Sequence, residues 1–285
     1  MTTTASPALL TFSEKLAEDL DNKLLVLPAF PDAVTRIQFE LQSEDKSVEE
    51  IARLLSAEPA LAARVLQIAN AFVIRRAGSE VRDLRQAITR MGFGMVRSVA
   101  TSFGLKQVAG DANYSDISKR ELELALSDSV RAASVCYVFA KRYTNLNPDE
   151  AMLTGLLHTI GRLYLIKRVS DDDQLSESDL QATTAEWHAS VGRVLAESWK
   201  LPEALSEAID QQDAGGEART GPVSLTDILI AARTVIREAD LDSATESLDS
   251  IVLDRLGVPR DSETGAFDLS SCMEEIDEIQ AALGG

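Results

Sequence analysis

The chain has 285 residues, of which 45% are hydrophobic and 26% are charged, with 15 glycines and 8 prolines. These are ordinary proportions for a folded globular protein, and they exclude collagen-like repeats, disulfide-dense scaffolds and disorder over the whole chain. Against 46 Asp and Glu residues there are 28 Lys and Arg residues, and the resulting net charge of -18 repels nucleic-acid backbones and anionic lipid headgroups.

The cysteines and the hydropathy of the sequence indicate the cellular compartment in which the protein folds. Cys136 and Cys272 are far apart and lie in no CxxC or Cys/His motif, so we interpret them as free thiols in a reducing compartment. Residues 1–10 lack a basic segment followed by a long apolar one, and the most apolar later stretch, residues 152–166, is interrupted by polar side chains. We therefore expect a cytoplasmic protein that neither inserts into membranes nor binds nucleic acid.

Apolar residues recur at intervals of three and four along most of the chain, which predicts helix after helix and almost no strand. Ser47 and Glu50 have the spacing of a capping box, and Pro59 is placed to start the next helix. Asp83 is placed to cap a further helix, which Gly92 is expected to end. The first hundred residues are thus predicted to form a compact helical bundle.

A polar segment at residues 110–118 is interpreted as a boundary, after which a second set of helices begins. Asn147 and Pro148 match the N-cap and first-turn positions of one of them. Residues 170–178 are predicted to be an acidic loop, and residues 185–199 the helix after it. Further helices are predicted over residues 202–211, 223–239, 248–256 and 269–283. The last two are acidic, and the sequence leaves open whether they form a docked appendage or a mobile tail.

Only two histidines exist, His158 and His188, so any metal site or acid–base chemistry has to use one of them. A tetrahedral zinc site would have to add Cys136 and Cys272, yet these four residues come from separate segments with no local pair to start metal binding. No Ser or Cys lies in the sharp turn typical of a nucleophile, and Gly92-Phe93-Gly94 lacks the third glycine of a phosphate-binding loop. The simplest interpretation of each histidine is a buried side chain that hydrogen-bonds to a neighbour.

Several short blocks of the sequence are similar to known signatures. Residues 155–163, Gly-Leu-Leu-His-Thr-Ile-Gly-Arg-Leu, resemble the Gly-Leu-Leu-His-Asp-Ile-Gly-Lys-Leu block of HD-type phosphohydrolases, with Thr159 at the place of the signature Asp. Upstream, Leu-Pro-Ala-Phe-Pro at residues 27–31, Glu-Pro-Ala-Leu within residues 57–70 and Ala-Ile-Thr-Arg-Met-Gly at residues 87–92 resemble blocks of the HDOD domain. This domain is the output-domain relative of the HD hydrolases, and the order and spacing of the blocks match it as well.

The resemblance to the HDOD family implies an all-α regulatory module, in which an N-terminal helical bundle packs on a degenerate HD-like helical bundle. It divides the chain into an N-terminal extension (1–22), an HDOD domain (23–240) and an acidic C-terminal helical appendage (241–285). Within the domain, it implies an N-terminal helical subdomain (23–110) and an HD-like subdomain (111–240).

The resemblance also implies a metal site that has lost most of its ligands. Its degenerate positions are Asp128, His158, Thr159, His188, Gln211 and Gln212. Thr159 replaces the bridging Asp, the two glutamines stand where related proteins often have two histidines, and Arg233 stands near the late Asp of HD enzymes. Because neutral hydroxyl and amide oxygens lack the anionic charge that holds a divalent ion, we expect no catalytic residue, no metal and no cofactor.

A concentration of arginines in an otherwise acidic chain is a second candidate site. Its members are Arg75, Arg76, Arg82, Arg85, Arg90 and Arg97. The simplest interpretation is a solvated face that offsets nearby acidic side chains; the alternative is a docking patch for an acidic partner, a phosphorylated segment or a nucleotide. The pocket at the degenerate metal site is likewise interpreted as vestigial, with polar side chains that hydrogen-bond one another, or as a binding site.

These observations together predict a non-catalytic bacterial signalling or regulatory protein that acts through protein–protein interaction. Its partner would be another signalling protein, and homo-oligomerisation is left open. Two alternatives stay open as well: a metal-dependent HD-type phosphohydrolase of nucleotides or cyclic dinucleotides, and a nucleotide sensor that binds without hydrolysing.

Overall fold

The computed structural model describes residues 7–22, 24–25, 32–41, 45–75, 80–110, 114–214, 219–240, 250–263 and 267–284. Within these ranges the chain forms helices and no strand, and an antiparallel bridge between Arg260 and Phe267 is the one extended pairing. The predicted all-α class is thus confirmed. The helices are α1 (Pro7–Asp21), α2 (Asp32–Glu40), α3 (Val48–Ser56), α4 (Pro59–Arg75), α5 (Leu84–Ala109), α6 (Asp116–Tyr143), α7 (Pro148–Leu157), α8 (Ile160–Ser170), α9 (Glu177–Ser198), α10 (Glu203–Asp210), α11 (Leu225–Asp240), α12 (Ser250–Leu256) and α13 (Ser270–Gly284).

The helix starts predicted from capping residues are confirmed. Ser47 and Glu50 form a reciprocal capping box at the start of α3. Asp83 accepts a hydrogen bond from the main-chain N–H of Gln86 at 2.9 Å, and Asn147 caps α7 in the same way. These short side-chain contacts satisfy main-chain donors that a helix leaves unpaired, which is why they can be predicted from local sequence.

Gly92 ends the helical segment that Asp83 caps, as predicted: its φ of 78° and ψ of 161° are not helical, and a second helical segment of α5 begins beyond it. One boundary differs from the prediction. The helix expected over residues 185–199 begins eight residues earlier, at Glu177, so the acidic loop is shorter than predicted. The cause is a second capping box, between Ser176 and Asp179, which starts α9 before its regular apolar pattern begins.

One hydrophobic core connects the helices from α1 to α13, and it includes Leu16, Val65, Phe139 and Leu283. A smaller cluster around Leu163 lies between α5, α6, α8 and α9. The large cluster contains side chains from both predicted subdomains, so it does not separate them. The division into two subdomains therefore stays a prediction. None of the described helices is long and apolar enough to cross a bilayer. The block at residues 27–31 and the start of the predicted appendage, residues 241–249, lie outside the described residues.

The last helix, α13, packs against α4, α5 and α6. Ser102 donates a hydrogen bond to the main-chain oxygen of Leu283 at 3.1 Å, and Lys106 donates to that of Gly284 at 2.6 Å. Arg64 on α4 donates to the oxygen of Ala282. The carbonyl groups at the end of a helix have no partner within it and carry partial negative charge, so these donors stabilise the docked position. The sequence left open whether the last helices are docked or form a mobile tail, and in the structure α13 is docked.

Two neighbouring helices, α8 and α9, approach each other closely at Gly161. A Cβ atom at this position would lie 1.9 Å from the main-chain oxygen of His188 and 2.8 Å from the main-chain N of Gly192. Backbone cannot yield as a flexible side chain can, so only glycine fits. This contact sets the distance between the residues that follow α7 and those in the middle of α9.

We expect Gly161→Ala to destabilise the protein by about 1–3 kcal/mol through overpacking, although alanine is the better helix former. Gly110→Ala is the matched control, because a Cβ there would have its nearest neighbour at 3.5 Å, an ordinary contact. Urea unfolding followed by circular dichroism measures both variants, and the control should stay within about 0.5 kcal/mol of the wild type. A Gly161→Ala variant as stable as the control would contradict the close approach of the two helices.

Candidate functional site

A cavity of about 430 Å³ opens between α6, α8, α9 and α11. Its ionisable lining side chains are Glu121, Asp128, His158, Arg162, His188, Arg233 and Arg237. Gln181, Thr184 and Gln212 add polar groups, and the remaining wall is apolar. A concave site of this size in which charged and hydrogen-bonding side chains converge is a candidate for ligand binding, so this cavity is the candidate functional site.

His158, the residue after α7, is only 5% exposed. Its Nδ1 lies 2.7 Å from the carbonyl oxygen of Gly155, and because that oxygen can only accept, Nδ1 carries the proton and donates. Burial, with smaller contributions from Arg233 and Arg162, lowers the pKa of His158 to about 3. The ring is therefore neutral near pH 7, and its Nε2 is an acceptor without a hydrogen-bond partner among the described residues.

Asp213 connects His188 on α9 with Arg233 on α11. It accepts hydrogen bonds from His188 Nε2 at 2.9 Å and from Arg233 Nη1 at 2.7 Å. The His188 hydrogen bond and the Arg233 charge hold the pKa of Asp213 well below its usual range. Arg233 Nη1 also donates to the main-chain oxygen of Gln212 at 2.6 Å, so the guanidinium group is held at the cavity wall.

Arg162 on α8 ties that helix to α6. Its Nη1 donates to Asp128 Oδ2 at 3.1 Å, and its Nη2 lies 3.5 Å from Glu121 Oε2. The three side chains are between 24% and 35% exposed, so each pair adds only modest stability. The Asp128 carboxylate therefore already accepts a hydrogen bond from an arginine.

The cavity brings together four of the six predicted site positions: Asp128, His158, His188 and Gln212. Gln212 is 2% exposed and donates from Nε2 to the main-chain oxygen of His158 at 3.0 Å. Thr159 and Gln211 are not part of the lining. Thr159 is buried at the start of α8, where its hydroxyl has no hydrogen-bond partner among the described residues, and Gln211 donates to Glu207 at 2.8 Å.

Four charged residues of the site had no role assigned from the sequence: Glu121, Arg162, Asp213 and Arg237. Arg237 lies four residues after Arg233, so the two share one face of α11, and this spacing is the signal that could have identified it. Asp213 directly follows the predicted glutamine pair and lies between the helices predicted over residues 202–211 and 223–239. Its role depends on a contact between α9 and α11, which local sequence does not encode.

The side chains around the cavity do not fit a divalent metal ion. In the ranges that the structure describes, no group of three or more His, Cys, Asp or Glu side chains is arranged to hold one. His188 Nε2 is bonded to Asp213, and Arg233 adds a positive charge that would repel a cation. The zinc alternative does not fit either, because neither Cys136 nor Cys272 lines the cavity.

The arginine-rich segment is divided by the structure. Its exposed members are Arg82, Arg85 and Arg90. Arg97, which follows the bend in α5, is partly buried, and the charges of Glu150 and Asp149 at the start of α7 act on it while burial lowers its pKa. Arg97 therefore belongs to the contact between α5 and α7. Arg76 and the side chain of Arg75 lie outside the described residues.

Comparison with known proteins supports the fold and identifies the family. The sequence profile of the HDOD domain matches residues 27–214. A crystal structure from Shewanella amazonensis SB2B, named provisionally as a metal-dependent phosphohydrolase, is similar at 23% identity with a TM-score of 0.74, over 96% of this chain and 99% of that one. A structure from Marinobacter aquaeolei VT8, named provisionally as a signal transduction protein, is similar at 20% identity with a TM-score of 0.55, over 94% of this chain and 59% of that one.

A curated protein of Treponema pallidum (strain Nichols) is 24% identical over 217 residues. That alignment includes 70% of this chain but 40% of the relative, so the chain spans well under half of it. The family match ends at residue 214, which leaves Arg233 and Arg237 outside it. The arginines on α11 are therefore features of this chain that the family match does not describe.

We expect His158→Gln to flatten the pH dependence of stability. Below the ordinary histidine pKa of 6.5 the unfolded chain takes up a proton that folded His158, with its pKa lowered to about 3, does not. Unfolding is therefore favoured as the pH falls, and this group costs about 2 kcal/mol of stability between pH 7.5 and pH 5.0, a loss that the variant lacks.

Urea unfolding of both proteins at pH 7.5 and pH 5.0 measures the difference. His188 is present in both, and most carboxylates titrate below this window, so their contributions cancel. An equal loss of stability in the wild type and the variant would mean that His158 can be protonated in the folded protein.

Proposed function

The chain belongs to the HDOD domain family, and from that premise we propose that it is a non-catalytic regulatory protein that acts in bacterial signalling by binding another protein. The protein-binding role is supported by the family and by the name of the Marinobacter structure, a signal transduction protein. The two cysteines, which are both free and buried, support a reducing, cytoplasmic environment.

One observation carries the non-catalytic part: the guanidinium group of Arg233 stands at the cavity wall. The family resemblance places the late metal-binding Asp of HD-type enzymes at about residues 231–233. Hydrolysis by such an enzyme requires a metal ion that activates water, held by several anionic or imidazole ligands with one open position. Arg233 is positively charged at any accessible pH and is fixed by Asp213 and Gln212. The cavity thus repels the ion on which the reaction depends.

The second candidate function is a metal-dependent phosphohydrolase, which the name and the fold similarity of the Shewanella structure favour. At 23% identity, that similarity concerns the fold. For this chain to hydrolyse phosphate esters, His158 and Asp128 would have to bind an ion beside Arg233, after Asp128 gives up its contact with Arg162. Both requirements oppose the observed charge arrangement.

We expect purified protein to contain no stoichiometric manganese, iron or zinc, and to release no phosphate from nucleotides or cyclic dinucleotides when Mn²⁺ is added. The physical reason is the loss of anionic ligands together with the added Arg233 charge. Elemental analysis and a phosphate-release assay measure the two quantities.

His158→Ala is the control variant, since it removes a histidine that any metal-dependent route would use. The wild type and the variant should give the same background release. Release by the wild type that disappears in the variant would support the phosphohydrolase and contradict the proposed function.

A further inference from the structure

We propose that the cavity between α6, α8, α9 and α11 binds a small phosphorylated organic molecule that carries a hydroxyl or amino hydrogen-bond donor, and that it does so through Arg233 and His158 without a metal. This inference rests on the proposed function, because it treats the cavity as the place where a regulatory ligand binds. It concerns a different part of the molecule from the exposed arginines around residues 82–90, which the sequence suggested for nucleotide binding.

Arg233 has the geometry of an anion-binding group. Its contacts with Gln212 O and Asp213 Oδ1 both use Nη1. Its Nη2 and Nε have no hydrogen-bond partner among the described residues, while the side chain lines the cavity and is 21% exposed. A guanidinium group presents its N–H groups in a planar fork that matches two oxygens of a phosphate, and such paired, charge-assisted bonds are among the stronger polar contacts.

The cavity is much less negative than the chain as a whole. Three arginines line it, against the carboxylates of Glu121 and Asp128 in the lining and that of Asp213 beside Arg233, whereas the net charge of the chain is -18. The two lining carboxylates both contact Arg162, whereas Arg233 is paired with Asp213, which also accepts from His188. The arginine charges act on His158, since, after burial, Arg233 and Arg162 both contribute to its lowered pKa.

His158 requires a hydrogen-bond donor on the ligand. Its Nδ1–H donates to the carbonyl oxygen of Gly155, and a neutral ring in this tautomer offers only a lone pair at Nε2. An unprotonated nitrogen cannot bind an ionised phosphate oxygen, but it can accept a hydrogen bond from a hydroxyl or amino group. Inorganic phosphate offers only a P–OH on the same small ion that Arg233 would hold, whereas a phosphorylated organic molecule carries its donor on a separate group.

The size of the cavity limits the ligand further. At about 430 Å³ it lies in the lower part of the range of about 300–1,000 Å³ for small-molecule pockets. This suits a sugar phosphate or a mononucleotide. A cyclic dinucleotide would extend beyond a cavity of this volume, so the inference favours the smaller of the two ligand classes that the sequence leaves open.

The test measures binding by calorimetry at low salt to the full chain, with ribose 5-phosphate and adenosine 5′-monophosphate as probes. Ribose, inorganic phosphate and succinate are the comparison compounds. We expect at least one probe to bind at least tenfold more tightly than inorganic phosphate, and ribose and succinate not to bind. The inference is overturned if neither probe binds, or if succinate binds as tightly as the probes.

Three variants locate the site. Arg233→Gln should weaken binding of the probe at least tenfold, and Arg233→Lys, which keeps the charge but loses the fork, should weaken it less. His158→Leu should reduce the affinity for the probe to that for inorganic phosphate and leave the latter unchanged. Arg193→Gln is the control, because Arg193 makes similar ion pairs with Glu197 and Asp210 outside the cavity. Equal binding by wild type and Arg233→Gln would place the ligand elsewhere and overturn the inference.

Phosphate release, measured in the same samples, separates this inference from the proposed function. Binding without release supports both. Binding with release that disappears in His158→Ala would contradict the non-catalytic function, although the cavity would still be the binding site. Absence of binding and of release would overturn this inference alone.

Discussion

The contact of Asp213 with both His188 and Arg233 determines what the central cavity can do. One carboxylate, at 2.9 Å from an imidazole and 2.7 Å from a guanidinium, joins α9 to α11 and uses the histidine nitrogen that could otherwise bind a ligand. It also fixes Arg233 at the wall, with Gln212 as the second support. The charge of the cavity and the absence of a fitting metal site among the described residues both depend on this arrangement.

The close approach of α8 and α9 at Gly161 brings His188 to the cavity, where it contacts Asp213. Because no side chain separates the helices there, His188 comes near to His158, whose pKa is lowered mainly by burial and in smaller part by the neighbouring positive charges. Interiors packed at this density respond to small displacements, so a shift of one helix changes the site as well. The glycine that looks like part of a catalytic signature in the sequence thus has a packing role that can be assigned without any reaction.

Local features were predictable from the sequence, and long-range contacts were not. Caps such as Ser47 and Asn147 depend on neighbours a few residues away, and they were identified correctly, whereas the second capping box at Ser176 was missed because it lies in a segment without a regular apolar pattern. Asp128 was placed in the cavity by family resemblance, but its partner, Arg162, is 34 residues further along the chain. No local pattern in the sequence specifies such a pairing, or the position of Asp213 between two helices.

Two arginines pair with the carboxyl groups around the cavity. Arg162 contacts Glu121 and Asp128, and Arg233 contacts Asp213. A guanidinium group, unlike a metal ion, is attached to its own helix and cannot activate water. The carboxylates therefore tie α6 to α8 and α9 to α11, so any ligand that competes for Arg233 acts on the contact between helices. In the proposed function, this is the physical route by which binding in the cavity can change the helical surface that a partner protein contacts.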